Sequence, residues 1–304
     1  MSRARARHWR IEERFLPAQA RALRACFERR FADPRRTDGE RFVWDWWHVP
    51  DQYTHLRTPA WLYFPKAAYG RFHKDLVAWG RRTLGCWDVS PTWLSCYVEG
   101  CQQHLHADVP HGPWAFVWSL SPARPRFSGG ETLIVRPETL DHWRGFSGRA
   151  ERELESFVVR LAPRFARLIV FDPRLPHGVT RVGGTLDPRE GRLVLHGWFT
   201  EPRPWVEGAL SRRAADRVLE DLAGEVALDL APFAPLHGTL VARLSVAPSG
   251  QVRAARLLAD TLVTLDAPGR AEGRVVRRVL RALRGARFPR AKGPSQVTLP
   301  LLFR

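Results

Sequence analysis

His106-Ala107-Asp108, a distant His177 and then Arg192 are the residues of this chain best suited to do chemistry. Two imidazoles and one carboxylate form the donor set of a mononuclear metal site that leaves coordination positions open. In an extended strand residues i and i+2 point the same way, so His106 and Asp108 can reach one ion while Ala107 faces elsewhere. His177 would close the set from a second, distant strand. Open positions of this kind suit a non-haem Fe(II) centre that admits O2 and an organic co-substrate. Arg192 follows the distal histidine closely enough to supply a planar, charged fork for an organic acid.

Other donors compete. His104 and His111 flank His106, and strict alternation puts His104 on the same face, so a zinc site using His104 and His106 is an alternative. His48, His55, His73, His142 and His237 lack such company and read as surface or hydrogen-bonded core histidines.

The elements that must position these groups follow from the apolar pattern. Short β-rich runs separated by turn chemistry predict strands at 92–98, 103–109, 114–121, 131–136, 156–161, 167–172, 177–182 and 192–199. That density argues for a barrel or sandwich over a parallel α/β sheet. Upstream, an amphipathic helix is expected after Pro17, with Leu23, Cys26, Phe27 and Phe31 on one face, and a second over 65–84. Between them lies a Trp-rich stretch (Trp44, Trp46, Trp47, then Trp61), which could line a cleft but more often builds core. Downstream, a polar helix near 207–224 leads to a Pro-containing linker at 232–235. Residues 237–304 then read as strand, Ser249-Gly250 turn, strand, helix and strand.

Composition limits the alternatives. With 44% hydrophobic and 26% charged residues the chain reads as an ordinary soluble globular protein. No secretory signal and no apolar run of transmembrane length is visible, and four cysteines without framework spacing read as reduced thiols, so a cytoplasmic location is expected. The net charge of +17 invites a nucleic-acid reading. Only three of the 48 basic residues are lysines (Lys66, Lys74 and Lys292), however, which fits a coding bias toward Arg. The charge is also uneven: residues 235–304 hold 13 Lys/Arg against 3 Asp/Glu. Nucleic acid and membrane are therefore not the expected partners.

Five stretches, in order, carry a resemblance: Trp93–Gly100 with Tyr97, His106–Asp108, Ser128–Leu133 with its Gly-Gly-Glu-Thr, Val170–Val182 around His177, and Gly191–Phe199 beginning at Arg192. Over about 92–200 the chain resembles the 2-oxoglutarate/Fe(II)-dependent dioxygenase superfamily, and within it the prolyl-hydroxylase-like branch. The resemblance implies a mainly β fold with flanking helices, a double-stranded β-helix (jelly-roll) oxygenase core. It implies His106, Asp108 and His177 as iron ligands, with no catalytic residue beyond them. Arg192 and Tyr97 would hold the distal carboxylate of 2-oxoglutarate. Fe(II) is the implied cofactor, 2-oxoglutarate and O2 the co-substrates, and ascorbate a reductant. The implied reaction couples oxidative decarboxylation of 2-oxoglutarate to succinate with hydroxylation of a peptide, protein or small metabolite. Two features depart from the family. The interval from His177 to Arg192 is long, which the 183–191 loop can absorb, and Val194 stands where many members have Ser. Arg192, Val194, His196 and Trp198 should share a face, making His196 and Trp198, with Thr132, candidate pocket-liners.

Residues 237–304 resemble a TonB-type C-terminal domain, a small α+β unit that could bind a protein partner. The expected organisation is an oxygenase domain over 1–205 (a helical part at 1–90 and a β core at 92–200), a helix and linker at 206–236, and the C-terminal unit at 237–304. Two further functions remain open at this stage: a catalytically silent barrel acting as a binding or regulatory protein, and an oxygenase directed at nucleic acid.

Overall fold

The computed structural model describes residues 7–31, 44–108, 111–137, 139, 157–233, 235–264 and 270–303. His142 lies outside them. The strands are β1 (Trp9–Glu12), β2 (Asp45–Val49), β3 (Tyr53–Pro59), β4 (Cys86–Val89), β5 (Trp93–Tyr97), β6 (Gln102–His106), β7 (Trp114–Ser119), β8 (Thr132–Val135) and β9 (Val158–Leu161). They continue with β10 (Leu168–Phe171), β11 (His177–Val179), β12 (Arg192–Pro202), β13 (Trp205–Gly208), β14 (Leu236–Val246), β15 (Val252–Asp260), β16 (Val263–Thr264) and β17 (Ser295–Phe303). The helices are α1 (Pro17–Arg30), α2 (Ala60–Tyr63), α3 (Lys66–Leu84), α4 (Arg212–Leu230) and α5 (Arg270–Gly285). Two compact units result, one of Trp9–Asp75 with Val89–Phe199, the other of Leu76–Asp88 with the chain from Thr200 onward.

The first unit is a jelly roll. The pairs among β5 to β12 are antiparallel, and these strands divide into two four-stranded runs, β10-β7-β12-β5 and β6-β11-β8-β9. The chain crosses repeatedly between the two runs, as a double-sheet jelly roll does. The strand sequences explain their places. Leu168–Phe171 is apolar throughout and buried at every position, whereas Thr132–Val135 alternates buried and half-exposed residues. Eight strands were expected here from sequence, and all eight form.

The N-terminal part departs from the helical expectation for 1–90. Helices α1 and α3 form, but β1 pairs with β10, and the Trp-rich stretch becomes the hairpin β2–β3. Strand β3 pairs with β5 over Leu56–Pro59 and with β6 at Tyr53 and Thr54, so it joins the two runs along one side. Aromatic and β-branched residues such as Trp46, Trp47, Val49, Tyr53 and Thr54 favour a strand over a helix, and β5 supplied the partner for β3. Helix α1 starts with Pro17 in its first turn, where the missing N–H costs nothing, and buries Ala20, Leu23, Cys26 and Phe27. In the core Phe72 stacks on Trp118 with ring centroids 4.6 Å apart.

The second unit is α+β. Its sheet runs β13-β17-β14-β15, with β16 paired to β14. The segment expected to be a helix and linker at 206–236 belongs to this unit's own core. Ala215, Leu219, Leu222, Val226 and Leu230 of α4 pack in one cluster with Val275, Val279 and Leu283 of α5 and with Leu240, Ala242 and Leu244 of β14. The i, i+3/i+4 spacing of those α4 residues makes an apolar stripe that needs a partner face; its charged opposite face had masked the stripe. Among the described residues no helix is long and apolar enough to cross a membrane.

Candidate metal centre

Strand pairing brings the expected ligands together. Strand β11 lies between β6 and β8, and His177 stands directly opposite His106 in the register. Their rings sit 4.4 Å apart, centroid to centroid. Asp108 lies two residues past His106, beyond the end of β6, and its backbone N–H donates to the Pro173 carbonyl at 2.9 Å. That carbonyl belongs to the Asp172-Pro173-Arg174 turn, closed by Asp172 accepting from the backbone N–H of Arg174 at 3.0 Å. Turn and β6 end thus hold one another, and His177 follows three residues after Arg174.

Each imidazole has a fixed tautomer. His106 Nδ1 lies 2.9 Å from the His104 carbonyl and His177 Nδ1 lies 2.9 Å from the Leu175 carbonyl. A carbonyl can only accept, so both Nδ1 atoms carry the proton and both Nε2 atoms point inward. His177 Nε2 is 3.2 Å from Asp108 Oδ2, and His106 Nε2 is 3.4 Å from Asp108 Oδ1. Two neutral imidazoles would aim lone pairs at a carboxylate, an arrangement that calls for a cation or extra protons between them. The ligand atoms of all three lie within 4.8 Å of one another. The site's electrostatics point the same way. Burial disfavours charge on both His106 and Asp108, yet their mutual contact outweighs it, raising the His106 pKa and holding the Asp108 carboxyl well below the usual carboxylate range.

A β-bulge corrects one expectation about this strand. Between the pairs His177↔His106 and Val179↔Gln103, β6 spends three residues against two on β11. The extra residue breaks strict alternation. His104 therefore does not share the face of His106: it is exposed, and neither it nor exposed His111 joins the three-residue group. Gln103 takes that place, with its Nε2 3.2 Å from His106 Nε2 and its Oε1 accepting from the Tyr97 hydroxyl at 3.4 Å. Sequence reasoning missed Gln103 because a bulge leaves no mark on a period-2 pattern.

Asp108, His177, Tyr97, Thr132, Arg192, His196 and Trp198 all line one cavity between the two sheets of the jelly roll. The four β12 residues expected on one face, Arg192, Val194, His196 and Trp198, all face it. Arg192 is 1% exposed, and its Nη2 donates to Thr132 Oγ1 at 3.2 Å. Its Nε and Nη1 are buried without a hydrogen-bond partner. The guanidinium lies over the Tyr97 ring, 4.6 Å from the centroid. Burial lowers the Arg192 pKa and raises that of Tyr97, each group partly offsetting the burial of the other. A buried cation with two unused donors is costly unless an anion joins it. The glycine pair preceding Thr132 makes room for this arrangement: Gly130 has φ +73°, and a Cβ there would come within 3.0 Å of Arg192 Cδ.

His196 is held neutral, its pKa pushed down to about 4 by burial and then by Arg192, and its Nε2 lies 2.8 Å from Ser95 Oγ. His55, read from sequence as an ordinary core or surface histidine, is buried and stacked on Tyr97 with centroids 4.9 Å apart. Burial pushes its pKa down to about 3. Among the other expected surface or core histidines, His48 lies 2.6 Å through Nδ1 from Thr54 Oγ1.

No protein-family model matches this chain, and no curated protein matches it at a significant level. Solved structures of similar outline exist. A Pseudomonas putida prolyl-4-hydroxylase is 19% identical with TM-score 0.45, the match covering 64% of this chain and 94% of that one. A Trichoplax adhaerens prolyl hydroxylase, solved with a hypoxia-inducible-factor peptide fragment, is 16% identical with TM-score 0.40, covering 64% and 84%. The carbocyclase SnoK from nogalamycin biosynthesis is 13% identical with TM-score 0.43, covering 63% and 78%. At these values the likeness concerns outline alone. What the site can do follows from its own geometry: it presents three donors to one cation, and beside them a buried guanidinium to one anion.

Proposed function

We propose that this chain is an Fe(II)- and 2-oxoglutarate-dependent dioxygenase. The observation that carries the reading is an open two-histidine, one-carboxylate donor set, two of whose members (Asp108 and His177) line the same cavity as a buried Arg192 that has two unused donors. His106, Asp108 and His177 would hold the metal, leaving positions free on it. Arg192, supported by Thr132 and Tyr97, would bind the distal carboxylate of 2-oxoglutarate through its planar fork. Bound together, metal and co-substrate supply O2 activation coupled to oxidative decarboxylation, giving succinate and CO2.

The chain's own residues set the conditions for that chemistry. The Nδ1 contacts to the His104 and Leu175 carbonyls fix both rings with Nε2 inward, as the hydrogen-bonded outer partners of metal-binding histidines do. Phe171, Val194 and Val117 close the cavity with apolar surface, which limits water near the reacting atoms. Val194, where many family members have Ser, offers no hydrogen bond to the co-substrate. Hydroxylation of a peptide, protein or small metabolite is the proposed outcome. Residues 237–304, whose β15 forms a sheet edge, are proposed as a TonB-like protein-binding module.

Isothermal titration of 2-oxoglutarate into Mn(II)-loaded protein tests the reading. One site per chain is expected, with affinity falling at least about tenfold in Arg192→Gln, the loss of a charge-assisted contact. No binding, or binding indifferent to Arg192→Gln, would return the site to a three-donor zinc centre or a silent barrel.

A further inference from the structure

A second arginine lies on the sheet face that carries part of the cavity wall. In the register Arg57 of β3 stands opposite Ser95 of β5, and Ser95 stands opposite Val194 of β12. One row of the sheet therefore runs Arg57, Ser95, Val194, and Val194 lines the cavity. The Arg57 guanidinium is 4.3 Å from the centroid of the Trp93 ring and nearer still to that of Trp47. Sandwiched between two aromatic faces, a guanidinium keeps its edge donors in plane and free to bond. Its Nε is buried without a partner. Burial lowers the Arg57 pKa, and the charge of Asp45, its cross-strand neighbour, only partly restores it. Asp45 is exposed, and among the described residues no carboxylate forms an ion pair with Arg57. Arg57 also adds to burial and Arg192 in holding His196 neutral, which places its charge within reach of the cavity.

Arg192 is accounted for by the co-substrate, and Asp108 by the metal. Arg57 is not, and among the described residues no carboxylate neutralises it at close range. We propose that Arg57, clasped by Trp47 and Trp93, receives an oxyanion of the organic substrate, a carboxylate or a phosphate. This rests on the oxygenase reading for the word substrate, but the anion site itself is a property of apoprotein. The two indole faces favour an occupant with a flat or apolar body next to its charged group.

The test titrates the metal-free chain with 3-phenylpropanoate, phenyl phosphate and 3-phenylpropanamide, following quenching of tryptophan fluorescence. At least one oxyanion is expected to bind about tenfold tighter than the amide, and the stronger of the two names the source of the charge. In an Arg192→Gln background, which removes the other anion-seeking guanidinium, the preference should persist and Arg57→Gln should erase it, and 2-oxoglutarate binding to Mn(II)-loaded Arg57→Gln alone should change less than about twofold. Asp45→Asn, an exposed change, should tighten the oxyanion about threefold and keeps the test open should Arg57→Gln not fold. Equal binding of acid and amide overturns the proposal, as does a preference that survives Arg57→Gln or an Asp45→Asn variant that does not tighten. Failure of the oxygenase reading would show separately, as absent 2-oxoglutarate binding in the unaltered chain.

Discussion

At the scale of single residues the site is defined by what its groups lack. Both inward-facing Nε2 atoms are offered to a carboxylate that can only accept, so removing any one donor should dismantle the cation site. His177→Ala and Asp108→Ala should each weaken Co(II) binding, read from its visible absorption, by more than the roughly 10–100-fold typical of losing an outer hydrogen-bond partner. Unchanged affinity in either variant would mean that the ion binds elsewhere. Arg192 makes the complementary prediction. Replacing a buried ion pair by well-packed apolar side chains is often neutral or stabilising, by about 1–4 kcal/mol, and a buried charge without an ion partner has still less attraction to lose. Arg192→Met should therefore raise the melting temperature of metal-free protein while abolishing the added protection that 2-oxoglutarate gives the metal-loaded form, about 2.7 kcal/mol at a hundredfold excess over Kd. A lower melting temperature would indicate that Arg192 is structural.

At the scale of elements, β6 and β11 must lie close enough for His106 and His177 to face each other. Gly178 allows this, since a Cβ there would fall 2.5 Å from the Gln103 carbonyl oxygen. Gly178→Ala should force the strands apart, cost about 1–3 kcal/mol and weaken metal binding, measured by urea unfolding and Co(II) titration together. Loss of stability with unchanged metal affinity would show that the strand pair does not set the ligand spacing. The same elements show what a single sequence discloses. The eight jelly-roll strands were legible because period-2 and continuous apolar runs are bounded by turn residues such as Asp172-Pro173. His106, Asp108, His177, Arg192 and the shared face of β12 followed from alternation and motif order. Gln103 and the true orientation of His104 did not, because the bulge in β6 changes the alternation locally. Strands β1, β2 and β3 were not legible either: what makes them strands is the partner each one pairs with, β10, β3 and β5 respectively. Arg57 and His55 stayed hidden with them, since their company at the cavity comes from pairing across β3, β5 and β12.

At the scale of the whole molecule, two histidines kept neutral inside the jelly roll should make the fold acid-sensitive. Their folded pKa values, about 4 for His196 and about 3 for His55, lie below the ordinary 6.5. The unfolded chain therefore binds more protons as pH falls below about 6.5, and stability is lost from there down to the folded values, by about 1.4 kcal/mol per pH unit for each group. Melting temperatures measured from pH 7.5 to 4.5 should fall along that window, less steeply in His55→Phe; an equal slope would remove His55 from the account. Residues 235–304 carry 13 Lys/Arg against 3 Asp/Glu, +10 of the chain's +17, and none of those described lines the cavity, so the charge bears on partners of that segment more than on the chemistry of the jelly roll. The central claim is that one cavity binds a metal and a keto acid side by side. The most direct measurement is an anaerobic titration of Fe(II)-loaded protein with 2-oxoglutarate, followed in the visible for the weak charge-transfer band of a metal-bound keto acid. A saturating band, weakened in Arg192→Ala and absent in Asp108→Ala, is the predicted result. Well-folded, iron-loaded protein that shows no band would contradict it.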